Sequence, residues 1–327
     1  MIIVTGGAGF IGSCIVRELN NMGHEDIIIV DNIQKTEKWK NMRNKRYIEY
    51  ISRNDFLDRL PEFAGKVSHV IHMGACSATT ELDFDFLYKN NFEYTKTLWK
   101  FCTENQCSFI YASSAATYGA GEFGFDDKMD IKKLLPLNGY GYSKQLFDLW
   151  VEKQSLAPRQ HVGFKFFNVY GPNEYYKGSM ASVIFHSFNK ILETGQMGIF
   201  KSYKEGYEDG KQLRDFVYVK DLCKVVHFMI EHPKVSGLFN LGTGTARSFY
   251  DLAAATFDAM GVERNITFVE MPESLRPKYQ YFTEAKMDKL REAGYKDDFY
   301  SLEEGAKDYV QNYLMQNICL LYTSPSP

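Results

Sequence analysis

The sequence has few cysteines, no long apolar run and little net charge. Six cysteines occur among 327 residues, without a C-x-x-C pair or a regular spacing of histidines. We therefore expect neither a disulfide framework nor a metal site. A formal net charge of −3 provides no electrostatic basis for binding nucleic acid or an anionic membrane surface. No apolar run approaches the roughly 18 residues that cross a bilayer, so we expect no membrane partner.

The two ends of the chain carry different signals. The apolar segment that begins at Met1 leaves no room for a signal peptide, so we expect a cytoplasmic protein. Residues 317–327 follow an amphipathic helical pattern and have no periodicity of their own. We interpret this segment as a disordered or non-native tail and exclude it from the fold.

A glycine-rich turn near the start of the chain is the strongest motif. Gly6, Gly9 and Gly12 follow an apolar strand and precede a helical pattern. Glycines in this arrangement permit a tight turn and close approach to a pyrophosphate, which the helix N-terminus also attracts. The next strand ends at Asp31, about twenty residues further on, where a carboxylate meets a ribose hydroxyl. The pattern predicts a dinucleotide-binding unit.

Strand and helix patterns alternate along the first half of the chain. This order predicts an α/β protein with a doubly wound parallel sheet of the Rossmann type and a smaller, interleaved α/β substrate-binding domain. Residues 1–170 and 213–245 form the first domain in this interpretation, and residues 171–212 and 246–316 form the second. The expected strands are 1–5, 26–31, 47–52, 67–73, 107–113 and 161–168. The expected helices include 87–103, 179–194 and 221–232, with a polar loop over 201–212.

A second motif combines a tyrosine, a lysine and a serine. Tyr140 and Lys144 lie four residues apart at the start of a predicted helix and therefore share one face. A neighbouring cation lowers the pKa of a phenol, as a general acid or base acting on a hydroxyl requires. Ser114 ends a predicted strand, so it can bind a substrate hydroxyl beside the tyrosine. We expect these three residues to be catalytic.

Together these motifs resemble the extended short-chain dehydrogenase/reductase family that acts on nucleotide-diphosphate sugars. Segments 72–81, 111–119, 167–172, 177–183 and 214–221 extend the resemblance to about residue 316. Within the family, they are most similar to the branch that inverts C6 of the heptose in an ADP-sugar for the inner core of lipopolysaccharide. The resemblance implies transient oxidation and reduction at C6 with a tightly bound NADP. It also implies a homo-oligomer, a pentamer by family resemblance.

The resemblance assigns roles residue by residue. Tyr140 would serve one face of C6 and Lys177 the other, with Ser114 and Lys144 assisting. The implied cofactor-binding residues are Gly6, Gly9, Phe10, Ile11, Gly12, Asp31, Asn32, Lys38, Arg53, Met73, Gly74, Ala75, Cys76, Ser77, Asn90, Lys144, Val169 and Lys177. The implied substrate-binding residues are Ser114, Asn168, Ser179, His186, Phe200, Lys201, Ser202, Tyr203, Arg214 and Tyr279.

The choice between NADP and NAD depends on charge near the ribose. Asp31 alone favours NAD because a carboxylate repels a 2′-phosphate. Four cations that follow it, Lys35, Lys38, Lys40 and Arg53, can neutralise that phosphate. With the preference of the family, this leads us to expect NADP.

Two other functions remain open at this stage. A UDP- or dTDP-sugar 4-epimerase or 4,6-dehydratase would share the fold, although a dehydratase would carry an Asp-Glu pair where this chain has Ala115 and Ala116. A non-catalytic dinucleotide-binding sensor would need the glycine turn but neither Tyr140 nor Lys144.

Overall fold

A computed structural model describes residues 1–273, 275–276 and 279–316. The strands are β1 Ile2–Thr5, β2 Ile27–Asp31, β3 Glu49–Ser52, β4 His69–His72, β5 Ser108–Ser114, β6 Gln160–Phe166, β7 Asn168–Tyr170, β8 Met197–Phe200, β9 Leu213–Tyr218, β10 Gly237–Leu241, β11 Ala246–Ser248 and β12 Ile266–Val269. The helices are α1 Phe10–Asn21, α2 Arg53–Arg59, α3 Phe84–Leu87, α4 Tyr94–Glu104, α5 Gly139–Val151, α6 Val183–Thr194, α7 Val219–Glu231, α8 Phe249–Met260, α9 Asp288–Glu292 and α10 Leu302–Tyr309. The expected tail, 317–327, lies outside the described residues.

A seven-stranded parallel sheet forms the centre of the molecule, in the order β10-β6-β5-β4-β1-β2-β3. From β1 the chain first builds outward through β2 and β3 and then continues on the other side with β4. Ligands bind at such a reversal, outside the carboxyl ends of the strands. The structure confirms the expected α/β class and doubly wound sheet.

Both faces of this sheet are buried. Alternate side chains of each strand point to opposite sides, and a hydrophobic core lies on each side. In β1, Ile2 and Val4 belong to one hydrophobic core and Ile3 to the other. Strand β2 is buried throughout, and its β-branched run over residues 27–30 is typical of parallel strands covered on two sides. All six expected strands are present, although the last is divided into β6 and β7.

Two short sheets accompany the large one. Strands β11-β9-β7 form one sheet and β12-β8 the other. Helix α8 begins with a capping box in which Ser248 and Asp251 satisfy each other's backbone N–H groups. The proposed division into two domains stays a prediction. In the described part of the chain, no helix has the length and apolar character needed to cross a membrane.

All three expected helices have somewhat different boundaries. The helix expected over 221–232 is α7, Val219–Glu231. The segment expected at 87–103 consists of α3, a π-helical turn over Tyr88–Glu93 and then α4. The helix expected to begin at residue 179 begins at Val183, because Ser182 is its N-cap and accepts a hydrogen bond from Phe185 N–H. A separate 3-10 segment, Tyr175–Met180, precedes it.

Candidate active site and cofactor cleft

The glycine turn connects β1 to α1 in a very close backbone arrangement. A Cβ atom added at Gly12 would lie 2.1 Å from the carbonyl oxygen of Gly6, so a larger residue cannot occupy this position without moving the turn. Helix α1 begins after Gly9 without a side-chain cap. The backbone N–H of Phe10 instead donates to the hydroxyl of Tyr176, at 2.9 Å. The turn therefore presents a helix N-terminus of the kind that binds phosphates.

A cavity of about 460 Å³ opens at this turn, along the carboxyl ends of β1, β2, β4 and β5. Its volume lies within the range of small-molecule and cofactor sites. Seventeen of the eighteen expected cofactor-binding residues line it; Val169 does not. Those that line it are Gly6, Gly9, Phe10, Ile11, Gly12, Asp31, Asn32, Lys38, Arg53, Met73, Gly74, Ala75, Cys76, Ser77, Asn90, Lys144 and Lys177.

Asp31 is a buried carboxylate at the end of β2. Its oxygens accept hydrogen bonds from the backbone N–H groups of Ala8, at 3.0 Å, and Asn32, at 2.7 Å. The ammonium of Lys38 lies 2.8 Å from the same carboxylate. Because this ion pair is largely buried, the negative charge at the ribose end of the cavity is balanced locally. Of the four cations expected to offset a 2′-phosphate, Lys38 and Arg53 line the cavity, whereas Lys35 and Lys40 do not.

Tyr140 and Lys144 lie in the first two turns of α5, as expected from their spacing. Both line the cavity, and the Ser114 hydroxyl hydrogen-bonds to Tyr140. The expected lowering of the Tyr140 pKa is wrong for this arrangement: burial raises the pKa, and the hydrogen bond from Ser114 opposes that rise. Lys144 instead donates to the carbonyl oxygen of Ala112, at 2.8 Å. Burial also lowers the pKa of Lys144 to about 8.

Lys177 approaches the same cavity from the segment between β7 and α6. The buried carboxylate of Glu174 accepts hydrogen bonds from both the backbone N–H and the hydroxyl of Ser182, each at 2.6 Å. These bonds join the two ends of the segment that contains Lys177. Gly178 has φ 54° and ψ −130°, a conformation that other residues rarely adopt. The segment is therefore held in a defined shape.

The environment of Lys177 favours its neutral form. Its ammonium lies 5.4 Å from the centre of the Phe10 ring, and burial lowers its pKa while the charge of Glu174 opposes the change. Burial thus favours the neutral amine more than in a free lysine. Tyr140 and Lys177 bring two titratable groups from separate elements to one cavity.

An unsatisfied buried atom tests whether the cavity suits a dinucleotide. Asn90 lines the cavity and is buried, and its Oδ1 has no hydrogen-bond partner in the described structure. A buried polar atom without a partner is costly, and a ligand in the cavity can supply one. The glycine turn, the N-terminus of α1 and this amide together fit a bound dinucleotide.

The expected substrate residues gather elsewhere, around Arg214 on β9. This buried guanidinium lies 5.2 Å from the ring centre of Tyr279 and 5.6 Å from that of Phe249. It donates to the backbone carbonyls of Leu213 and Gln280. Phe200 meets Tyr279 edge to face at 6.3 Å. The planar fork of an arginine between aromatic rings suits a phosphate and a stacked base.

The neighbouring loop over 201–212 is tied to the segment around residue 270. Lys201 pairs with Glu270 at 2.7 Å, and the hydroxyl of Tyr203 contacts the same carboxylate. The Arg276 guanidinium stacks on the Tyr203 ring at 3.6 Å. Ser202 N–H donates to Asp209 at 2.7 Å. These contacts order the loop beside the Arg214 cluster, which we define as Phe200, Arg214, Phe249 and Tyr279.

None of the ten expected substrate-binding residues lines the cavity, Ser114 included. Asn168 and Ser179 are exposed. His186 is half-buried on α6, with its ring 5.9 Å from that of Phe185. Val169 pairs with Val217 in the short sheet. Their assigned roles stay predictions.

Several residues of the cavity were not predicted from the sequence. Tyr176 is the most informative, because it bonds α1 from a position 166 residues away, and only its proximity to Lys177 in the sequence could have drawn attention to it. The other lining residues not identified are Thr5, Val30, Gln34, Thr36, Phe86, Tyr94, Ala112, Ser113 and Phe166.

Known proteins share both the sequence and the fold. The chain is 55% identical over 325 residues to the ADP-L-glycero-D-manno-heptose-6-epimerase of Fusobacterium nucleatum, covering 96% of this chain and 98% of the relative. It is 52% identical over 317 residues to the enzyme of the same name from Nitratidesulfovibrio vulgaris strain DP4, with 96% and 98% covered. The crystal structure of the Helicobacter pylori ADP-L-glycero-D-manno-heptose-6-epimerase aligns with a TM-score of 0.79 at 27% identity, covering 95% of each chain.

The sequence model of one family covers most of the cleft described above. It matches residues 2–242, a range that contains the glycine turn, Asp31, Tyr140, Lys144 and Lys177. The cofactor of this chain is accordingly a nicotinamide dinucleotide. From its sequence and its fold, the chain belongs to the NAD dependent epimerase/dehydratase family.

Proposed function

We propose that this protein inverts C6 of the heptose in ADP-D-glycero-D-manno-heptose, giving the L-glycero isomer, with a tightly bound NADP. The observation that supports this most directly is the convergence of Tyr140 and Lys177 on the cavity formed by the glycine turn. Inversion by oxidation and reduction at one carbon benefits from a proton-transferring group on each side. The names of the relatives agree with this activity.

The proposed reaction needs a hydride carrier and two acid–base groups. The residues of the glycine turn would hold the dinucleotide, which would supply reversible hydride transfer at C6. In one half-reaction, the neutral amine of Lys177 removes the proton from the C6 hydroxyl as the carbon becomes a ketone. After rotation about the C5–C6 bond, the phenol of Tyr140 returns a proton to the oxygen on the other side. By reversibility, the two residues exchange roles in the opposite direction.

The surrounding residues prepare these groups. The hydrogen bond between Ser114 and Tyr140 opposes the effect of burial on the pKa of Tyr140. Lys144 places its amino group one helical turn from Tyr140, where it can hold the nicotinamide ribose. Burial lowers the pKa of Lys177, which favours the neutral amine that a base requires.

The alternative functions do not account for this arrangement of residues. A 4,6-dehydratase needs an Asp-Glu pair after the active-site serine, and Ala115 and Ala116 stand there in a 3-10 turn. A 4-epimerase has no use for Lys177 in the cleft. A sensor that only binds the dinucleotide would need neither Tyr140 nor the hydrogen bond from Ser114.

We propose NADP rather than NAD because of charge at the ribose end of the cavity. The Lys38–Asp31 ion pair removes much of the repulsion that the carboxylate would exert on a 2′-phosphate. Arg53 adds a second cation to the lining. The assignments to a homo-oligomer, a pentamer by family resemblance, and to the cytoplasm are also proposals, for which light scattering and cell fractionation are the tests.

The decisive experiment uses the purified chain and ADP-D-glycero-D-manno-heptose without added cofactor, followed by proton NMR in D₂O. We expect a mixture of both C6 isomers, with no net change in nicotinamide absorbance. The hydrogen on C6 should remain protium, because hydride held on the cofactor does not exchange with solvent. Deuterium at C6 would contradict hydride transfer. No conversion, even with NADP⁺ or NAD⁺ supplied, would exclude this substrate.

A further inference from the structure

A buried ion pair lies behind the active site and has no role in the proposed reaction. Asp148 on α5 and Lys165 on β6 are 0% and 1% exposed, with Nζ 3.2 Å from Oδ2. Removing two charges from water costs free energy, and an apolar pair of similar volume is often at least as stable. Stability alone is therefore a weak explanation for this ion pair, and the contacts of the two side chains indicate a second role.

The carboxylate of Asp148 binds the end of β5. Its Oδ2 accepts a hydrogen bond from the hydroxyl of Ser113 at 2.7 Å, and its Oδ1 accepts one from Tyr111 at 3.2 Å. Asp148 is also one helical turn from Lys144, and its charge raises the pKa of that lysine against the effect of burial. One carboxylate thus joins α5, which carries Tyr140, to the strand that carries Ser114.

The ammonium of Lys165 is connected to the backbone of Ser114 through the hydroxyl of one side chain, Thr117. It donates to Thr117 Oγ1 at 2.6 Å, and Thr117 Oγ1 donates to the carbonyl oxygen of Ser114 at 2.8 Å. Lys165 is the register partner of Ser113 in the β5–β6 ladder. The hydrogen bonds from Lys165 to Thr117 and from Thr117 to Ser114 therefore hold the backbone of Ser114. Asp148 holds the adjacent Ser113.

We propose that Asp148, Lys165 and Thr117 are positioning residues, which fix the carboxyl end of β5 against α5 so that the Ser114 hydroxyl meets Tyr140. This inference rests on the proposed function for its catalytic readout. None of the three lines the cavity, so each acts through Ser114 or α5. Small displacements of such a group are costly, because an error of about 1 Å in a reacting geometry can reduce a rate about a hundredfold.

The sharpest test is a matched pair of variants at Thr117, which is fully buried. Thr117→Val keeps the shape of the side chain and removes the hydroxyl, whereas Thr117→Ser keeps the hydroxyl. We expect the valine variant to lower kcat for ADP-heptose about ten- to a hundredfold. Its KM and its affinity for NADP⁺ should stay within about twofold, and the serine variant should retain most of the wild-type kcat.

A second test separates positioning from folding. Asp148→Asn or Lys165→Met alone leaves one buried charge without its partner and is expected to destabilise the protein. The double variant D148N/K165M removes both charges, so its thermal stability should recover towards that of the wild type. Its kcat should nevertheless stay at least about tenfold low. Asp308→Asn, which breaks the Lys220–Asp308 pair outside the cavity lining, should retain wild-type kcat.

Hydrogen exchange supplies a readout that does not depend on the substrate. In the double variant and in Thr117→Val, amides of residues 113–118 should exchange faster, while those of β1 and β2 should not. Wild-type kcat in both variants would overturn the proposal, as would loss of activity only in proportion to unfolded protein. If the wild type fails to convert ADP-heptose, the proposed function fails. Faster exchange confined to 113–118 would still support the positioning role, and unchanged exchange would overturn it.

Discussion

On the cofactor side of the cleft, the candidate binding residues lie mostly at successive strand ends of one parallel sheet. On the substrate side, they come from loops, a short sheet and the segment around residue 280. The cofactor side is a single cavity of about 460 Å³ that contains nearly all the residues expected there. The substrate side has the Arg214 cluster, and none of the residues expected to bind the substrate lines that cavity.

This difference has a structural cause. A parallel sheet with right-handed crossovers brings the ends of its strands to one edge, so a residue at a strand end lies at the cleft whatever the rest of the chain does. Residues in loops reach a site only if the loops are held there. The ion pair between Lys201 and Glu270 and the ring contacts of Arg214 are such restraints.

The largest effect is expected on the cofactor side, from Tyr140→Phe. Removing a general acid or base lowers turnover about 10²- to 10⁴-fold, so kcat should fall in this range while affinity for NADP⁺ changes little. Rates by NMR and binding by calorimetry measure the two quantities. Tyr142→Phe is the matched control, because this tyrosine is exposed and stacks on Phe84. Equal losses in both variants would contradict the assignment.

A smaller effect is expected on the substrate side, from Arg214→Lys. Lysine keeps the charge but loses the planar fork and its stacking on Tyr279. We expect KM for ADP-heptose to rise about tenfold, or about 1.4 kcal/mol, with unchanged affinity for NADP⁺. The exposed Arg264, which pairs with Asp258, provides the control variant Arg264→Lys. A defect in cofactor binding would show that the two sides are not separate.

The cofactor preference is a further test of the cofactor side. Lys38→Ala leaves the Asp31 carboxylate without its cation, so affinity for NADP⁺ should fall about fivefold more than affinity for NAD⁺, or about 1 kcal/mol. Arg53→Ala should act in the same direction, and the exposed Lys35→Ala should have no effect. Fluorescence titration with both nucleotides measures these affinities. Equal losses for NADP⁺ and NAD⁺ would contradict a 2′-phosphate site.

The last expected effect is on stability rather than on activity, and it concerns the buried Lys144. Its pKa is about 8 in the folded protein and about 10.4 in an unfolded chain. Between these values the unfolded state binds more protons, so stability contributed by this group rises with pH by up to about 1.4 kcal/mol per unit. Below pH 8 the buried ammonium has a constant cost, which Lys144→Met lacks.

Urea unfolding at pH 7, 8, 9 and 10 checks this expectation. The stability of Lys144→Met relative to the wild type should be greatest at pH 7 and decline above pH 8. The exposed Lys153 supplies the control variant, Lys153→Met, for which the difference from the wild type should not change. A constant difference for Lys144→Met across this range would show that the ammonium is not desolvated in the fold.

Much of the fold and the cofactor side could be predicted from short motifs. The six strands before residue 170 were predicted because β-branched runs between glycine-rich turns are a local signal. The start of α6 was wrong, because the conformation of Gly178 and the cap at Ser182 depend on Glu174, which satisfies Ser182 from inside the protein. The direction of the Tyr140 pKa was wrong for a similar reason, since burial is a property of the packed chain.

The sequence by itself determined the glycine turn, the Asp31 position and the shared face of Tyr140 and Lys144. Each depends on neighbours a few residues away, through the missing Cβ, the length of a βα unit and the helical repeat. Only the tertiary structure decided that Tyr176 bonds α1, that Lys177 reaches the cavity of Tyr140, and that Asp148 and Lys165 share a buried network. Those contacts join segments far apart in the chain, and the packing of the sheet and its helices determines which distant groups meet.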